Sequence, residues 1–195
     1  MSPPPLRLDH TACVPAGRDE VWRFLNDVPA VVECVLGAQV TESLDESTYR
    51  GVVRISVGPF SLAYAGTLAV LDRDDDLRTL RMEATGRDRR GAGAAHAAIT
   101  LALEPDGEGT TIAAGADVML TGPVASMPGV ARAVSARLFA DFAAQMSDAL
   151  ADETSARGRD DSRRRDSVQV APLLWSVTRQ RVAGYVRDLR GRLRP

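Results

Sequence analysis

The chain contains no lysine, so all 24 of its basic side chains are arginine. It has two histidines and two cysteines, and aromatic residues fill only 5% of its 195 positions. Each scarcity closes off a class of function. Cys13 and Cys34 lie far apart without metal or redox spacing, and His10 and His96 are isolated, so no metal-ligand cluster is spelled out in the sequence. The two cysteines are expected as reduced core thiols rather than as a disulfide. The N-terminus, MSPPPLRLDH, lacks the basic and apolar regions of a secretion signal. No apolar run approaches the roughly 18–20 residues needed to cross a bilayer. Gly91-Ala92-Gly93 lacks the third glycine and following helix of a dinucleotide loop, and Asp72–Asp76 lacks the ligand order of an EF-hand; both read as turns. His10 and His96 are expected on the outer faces of their strands. No nucleophile–base pair stands out, so a binding protein without catalytic residues is expected.

The charge that is present is unevenly divided. Residues 1–153 hold 13 Arg against 22 acidic residues, whereas residues 154–195 hold 11 Arg against 4 Asp, giving about −9 and +7. The pattern predicts a globular domain over 1–153, a flexible Arg/Asp/Ser-rich linker over 154–166 and a basic amphipathic helix over 167–195. That helix carries an apolar stripe, Leu174, Val177, Val182, Val186, Leu189 and Leu193, flanked by Arg179, Arg181, Arg187, Arg190, Arg192 and Arg194. Arg163, Arg164 and Arg165 precede it, and Trp175 and Tyr185 suit a headgroup layer. Each Arg near an anionic surface contributes about 1 kcal/mol, so these residues form a candidate membrane-binding segment. Docking on a partner protein is the competing reading. Nucleic acid is disfavoured, because the acidic body repels phosphate. The same repulsion is expected to keep that body clear of an anionic membrane.

Within the body, residues 6–14 read as a strand, followed by a short helix around Asp19–Leu25 and a second begun by Pro29 and closed by Gly37. Period-two alternation then predicts strands at roughly 38–46, 48–58, 60–72, 77–88, 93–104 and 109–121, separated by short polar turns. A long helix is expected over about 130–152, where Val130, Val134, Leu138, Phe142, Met146 and Leu150 recur every four residues. A sheet face must be buried, and this helix is the long element available to cover it. The predicted fold is α+β with a helix-grip arrangement: a curved antiparallel sheet of about seven strands around a C-terminal helix.

Alternation also assigns the inward face. It carries Leu80, Met82 and Ala84; Ala97, Ile99 and Leu101; and Ile112, Ala114, Ala116 and Val118. With Val53, Ile55, Phe60, Leu62, Tyr64 and Leu68 from the earlier strands, and Met127, Val130, Val134 and Leu138 from the helix side, these are the candidate lining of an apolar cavity. Tyr64 brings one hydroxyl to that face, able to bond a ligand carbonyl or a backbone oxygen. Trp22 and Phe24 serve either core packing or ring stacking on a ligand.

Three blocks carry ordered landmarks: Trp22, Leu25-Asn26-Asp27 and Cys34-Val35-Leu36-Gly37 in the first, Gly51, Val57-Gly58-Pro59 and Gly66 in the second, and residues 86–125 in the third. In these the sequence resembles the carbon monoxide dehydrogenase CoxG family of the START-like (SRPBCC, Bet v 1-like) superfamily, with Leu36 where the family usually has Pro. The resemblance implies a lipophilic cavity whose mouth is gated by Val31, Val32 and Val35. It implies a bound respiratory quinone, expected as menaquinone, with no covalent cofactor. It implies partnership with a CO-dehydrogenase-type molybdenum hydroxylase and a cytoplasmic location peripheral to the inner membrane face. A START-like cyclase or hydratase acting on a hydrophobic substrate, or a ligand-free assembly scaffold, are the alternatives.

Overall fold

The computed structural model describes residues 5–57, 60–91 and 93–162. Strand β1 (Leu6–Val14) leads into helices α1 (Arg18–Leu25) and α2 (Val28–Glu33). Strands β2 (Ala38–Ser43), β3 (Thr48–Val57), β4 (Phe60–Asp74), β5 (Thr79–Asp88), β6 (Ala94–Asp106) and β7 (Gly109–Leu120) follow. A 3-10 turn at Pro123–Ser126 then opens helix α3 (Pro128–Ser162). The start of α2 is fixed locally: Asp27 accepts the Ala30 N–H at 3.2 Å, and Pro29 occupies the first turn.

The seven strands form one antiparallel sheet in the order β1-β7-β6-β5-β4-β3-β2. The meander has two ends. One gathers the β2–β3, β4–β5 and β6–β7 turns with the last residue of β1 and helix α1. The other gathers the β3–β4 and β5–β6 turns, the end of β7 and the start of α3. The first end is closed. There Asp74 Oδ1 accepts the N–H groups of Asp76 and Leu77, Arg78 sits at φ 55°, and its guanidinium reaches Asp19 at 2.6 Å. Buried Thr110 donates to the Ala16 carbonyl at 2.7 Å, tying β7 to the chain that enters α1.

The core sits toward that closed end. Val14, Val21, Leu25, Leu80, Leu103, Ile112, Met146 and Leu150 pack as one buried cluster with Trp22 and Phe24. Removing this apolar surface from water supplies most of the drive to fold. Cys34 belongs to the same cluster. Cys13 does not: it is exposed, and its Sγ lies 3.3 Å from Thr111 Oγ1 and 3.4 Å from Asp106 Oδ2. The odd-numbered residues of β1 face outward, which is why this thiol misses the core.

The expected organisation changes at one boundary. Helix α3 continues to Ser162, so 154–162 is helical where a flexible linker was expected from 154. A segment whose one apolar residue is Ala156 need not stop a helix that is already packed upstream, because propagation avoids the cost of nucleation. The rest of the expected linker and the amphipathic segment over 167–195, with Arg163, Arg164, Arg165, Trp175, Arg179, Arg181, Tyr185, Arg187, Arg190, Arg192 and Arg194, lie outside the described residues. Among the described residues no helix is long and apolar enough to cross a membrane.

Candidate ligand-binding hollow

Helix α3 presents one apolar face in two conditions. Phe142, Met146 and Leu150 are buried, Met146 at 0% exposure and Leu150 at 1%. Val130, Val134 and Leu138 lie on the same face, one to three turns upstream, yet are only half-buried, and Met127 before them is 37% exposed. The middle of the helix is thus held by the core, and its first turns leave their apolar side chains only partly covered.

The sheet shows the same gradient. Registers align His10, Ala114, Leu101 and Leu80 across β1, β7, β6 and β5, and the last three are buried. One row toward the open end stand Leu8, Ala116, Ile99, Met82 and Val70, and the next holds Leu6, Val118, Ala97, Ala84, Leu68 and Tyr49. Ala116, Ile99, Met82, Val118, Ala97, Ala84 and Leu68 are half-buried. Beyond them runs a row with almost no side chains: Ala95, Gly86, Gly66 and Gly51 on β6, β5, β4 and β3. A Cβ on Gly66 would stand 1.8 Å from the Thr85 carbonyl oxygen, so only glycine permits the close approach of β4 and β5 there. Gly86 serves differently: a Cβ on it would meet Tyr64 Cβ at 3.3 Å and Cδ1 at 3.6 Å, so the Tyr64 ring lies across that bare position.

Tyr64 pairs with Asp88 across β4 and β5. Burial pushes the Tyr64 hydroxyl above its ordinary value, and the Asp88 charge adds in the same direction. The phenol therefore keeps its proton and remains a donor. Among the described residues its hydroxyl has no hydrogen-bond partner.

The residues expected to line a cavity separate into three groups. Trp22, Phe24, Leu80, Leu101, Ile112 and Ala114 are core. Trp22 also donates its indole N–H to Asp75 and lies under the Arg78 guanidinium, so its edge and one face are taken. Val31, Val32, Val35, Leu68 and Met82 pack against that core at its margin. Val53, Ile55, Leu62, Tyr64, Ala84, Ala97, Ile99, Ala116, Val118, Val130, Val134 and Leu138 are half-buried, and Met127 is the exposed member at the rim. The Phe60 side chain lies outside the described ones. Two separate depressions include none of these residues. One of about 390 Å³ lies between the edge strand β1 and α3, bordered by His10, Ala12, Cys13, Phe139, Ala140 and Ser147. The other, about 460 Å³, follows the glycine row at Gly66, Gly86, Thr85, Arg87 and Ala94.

His10 corrects an expectation. It shares the inner face with Leu8, Ala12 and Val14, shares a 2.8 Å hydrogen bond with Ser135 Oγ through Nε2, and stacks on Phe139 at 5.4 Å. Its polarity suggested an outer position, whereas its parity with three apolar neighbours indicated the inner one. His96 does face outward, 3.1 Å from Glu83. The glycine row went unrecognised because it exists only once four strands are set in register.

The sequence profile of the carbon monoxide dehydrogenase CoxG family matches residues 11–151, more than two thirds of the chain. The chain belongs to this family. Solved structures show the fold that goes with it. A conserved protein from Geobacillus kaustophilus superposes with a TM-score of 0.65 at 21% identity, covering 75% of this chain and 96% of that one. A START superfamily protein from Mycobacterium smegmatis gives 0.55 at 14% identity over 75% and 97% of the two chains. A norcoclaurine synthase mutant from Thalictrum flavum gives 0.56 at 15% identity over 76% and 95%. No functionally curated protein gives a significant sequence match. The fold of this CoxG family member is therefore the START-like (Bet v 1-like) helix-grip.

Proposed function

We propose that the protein is a non-enzymatic carrier that holds a respiratory quinone, menaquinone by preference, between the sheet and the N-terminal half of α3. It serves a CO-dehydrogenase-type molybdenum hydroxylase by linking that enzyme to quinone at the inner membrane face, and the segment over 167–195 contributes membrane attachment. The reading rests above all on the divided face of α3. Val130, Val134 and Leu138 stay half-buried, as do Ala84, Ala97 and Ala116 on the inner face of the sheet, and a flat apolar ring held between helix and sheet would remove both sets from water. Tyr64 supplies a protonated hydroxyl suited to a quinone carbonyl. Membership of a carbon monoxide dehydrogenase family supplies the partner enzyme.

The catalytic alternative is less well supported by the described residues: His10 is engaged by Ser135, and Asp88, paired with Tyr64 across β4 and β5, is buried and accepts the Arg90 N–H.

The test is organic extraction and native mass spectrometry of the purified full chain, alongside an Ala97→Phe variant that fills the floor of the hollow. Menaquinone recovered from the wild type and lost from the folded variant supports carriage. An empty wild type that also fails to take up added menaquinone sinks it.

A further inference from the structure

The net negative charge of the body conceals a separation of charge between its two ends. The closed end carries Asp45 and Glu46 in the β2–β3 turn and Asp72, Asp74, Asp75 and Asp76 around the β4–β5 turn. The open end carries arginines. Arg87, Arg89 and Arg90 stand exposed around the β5–β6 turn, and Arg54 is exposed on β3 nearby. The Arg89 N–H donates at 2.9 Å to the carbonyl of Ala63, which pairs with Arg54, so these two arginines flank Ala63 on the outer face, one on each side of β4. Asp88, the acid within that turn, is buried and accepts the Arg90 N–H at 3.1 Å. Among the described residues none of the four arginines has an ion-pair partner.

Exposed apolar side chains accompany them. Leu36, 51% exposed, precedes Gly37, whose carbonyl accepts the Arg54 N–H at 2.8 Å. Met127 stands at the first turn of α3. The closed end also exposes leucines, Leu44, Leu71 and Leu77, but sets them among its acids. Charge therefore decides which end an anionic bilayer attracts. Four exposed arginines outweigh one buried acid at the open end, whereas the closed-end carboxylates, offset only in part by Arg73, Arg78 and Arg81, repel the surface.

We propose that the open end docks against an anionic lipid bilayer, with Arg54, Arg87, Arg89 and Arg90 on headgroup phosphates and Leu36 and Met127 in the interfacial layer. The proposal rests on the carrier reading for the need to reach a bilayer. It places the orienting contact in the folded body instead of the tail. Docking this way presents the first turns of α3 and the bare glycine row to the membrane, so a lipophilic molecule enters without crossing water. It also revises the expectation that the body stays clear of such a surface: only its closed end does.

The test uses the full chain with one fluorophore per molecule, attached either at native Cys13, beside the β6–β7 turn, or at the open end in a Cys13→Ser, Ser126→Cys variant. Both are mixed with phosphatidylcholine vesicles containing phosphatidylglycerol and spin-labelled quencher lipids. The open-end label is expected to quench several-fold more than the Cys13 label. Replacing Arg54, Arg87, Arg89 and Arg90 by Gln should reduce that quenching at least fivefold, while flotation through the intact tail persists. All four are exposed, and an unchanged thermal midpoint confirms that the variant folds. Equal quenching at both labels, stronger quenching at Cys13, or indifference to the four substitutions overturns the proposal. Loss of partner-enzyme capture with vesicle quenching unchanged also overturns it and assigns the rim to an acidic protein. Menaquinone extraction from the same preparations keeps the two ideas apart. An empty protein that docks open end first leaves this one standing, and a loaded protein without open-end quenching refutes it.

Discussion

The indole N–H of Trp22 donates to Asp75 Oδ1 at 2.7 Å, joining α1 to the β4–β5 turn across 53 residues of sequence. The Arg78 guanidinium lies 5.6 Å from the same ring centroid and is itself held by Asp19, so two polar contacts clamp one buried ring. The clamp explains why the closed end is closed: α1 cannot lift without exposing Trp22.

Trp22→Phe should therefore destabilise the protein by about 1–3 kcal/mol, through the lost hydrogen bond and lost packing. Asp75→Asn retains an acceptor oxygen and should cost less than about 1 kcal/mol. Urea unfolding followed by far-UV circular dichroism distinguishes them; equal costs would mean that the bond contributes little.

Gly66→Ala should be among the costliest single-methyl additions, about 2–3 kcal/mol, because the new Cβ meets the Thr85 carbonyl oxygen at 1.8 Å and two strands must separate. Gly17→Ala, which meets nothing within 4 Å and has an ordinary φ of −64°, should lie within about 0.5 kcal/mol of the wild type. Thermal midpoints of the two variants make the comparison.

The divided helix predicts divided phenotypes. Met146→Ala opens a hole in a filled core and should cost about 2–5 kcal/mol. Val134→Ala removes a half-buried side chain, should cost about 1 kcal/mol or less, and should weaken uptake of an apolar ligand instead. Measuring stability and menaquinone binding on both variants tests this; a large stability loss from Val134→Ala would show that the first turns of α3 are core after all.

Thiol chemistry and alkaline stability follow from burial. Burial first, then the Glu33 charge, raises the Cys34 thiol above its ordinary value of 9.0, so it should resist a thiol reagent that labels exposed Cys13, and react only on unfolding. Tyr64 is likewise raised above 10.0. Above these ordinary values the unfolded chain releases protons that the folded protein retains, so stability is fully present below about pH 9 and declines as pH rises through the raised values. Tyr64→Phe should remove the upper part of that decline, measured as the unfolding midpoint against pH.

The strands and their faces were legible in the sequence because period two and short polar turns are local signals. The spacing-four face of α3 was legible for the same reason. What could not be read was which half of that face would find partners. Met146 and Val134 look alike in sequence, and their difference arises from α1 folding under one end of the sheet. His10 is polar, which points outward, but it shares the parity of Leu8, Ala12 and Val14, and parity decides its face. Gly51, Gly66 and Gly86 lie 15 and 20 residues apart, and only register brings them into line. The arginine rim has the same origin: register alone brings Arg54 and Arg89 to the two sides of Ala63.

Helix α3 runs through Ser162, the last described residue, twelve residues past buried Leu150. At 1.5 Å per residue its 35 residues make a rod about 50 Å long, with the mouth at one end and the exit of the chain at the other. On the proposed carrier reading, in which residues 163–195 attach to the membrane, the helix would set the mouth about one helix length from the point of attachment, so the tilt of that rod would govern how far the opening stands from the bilayer.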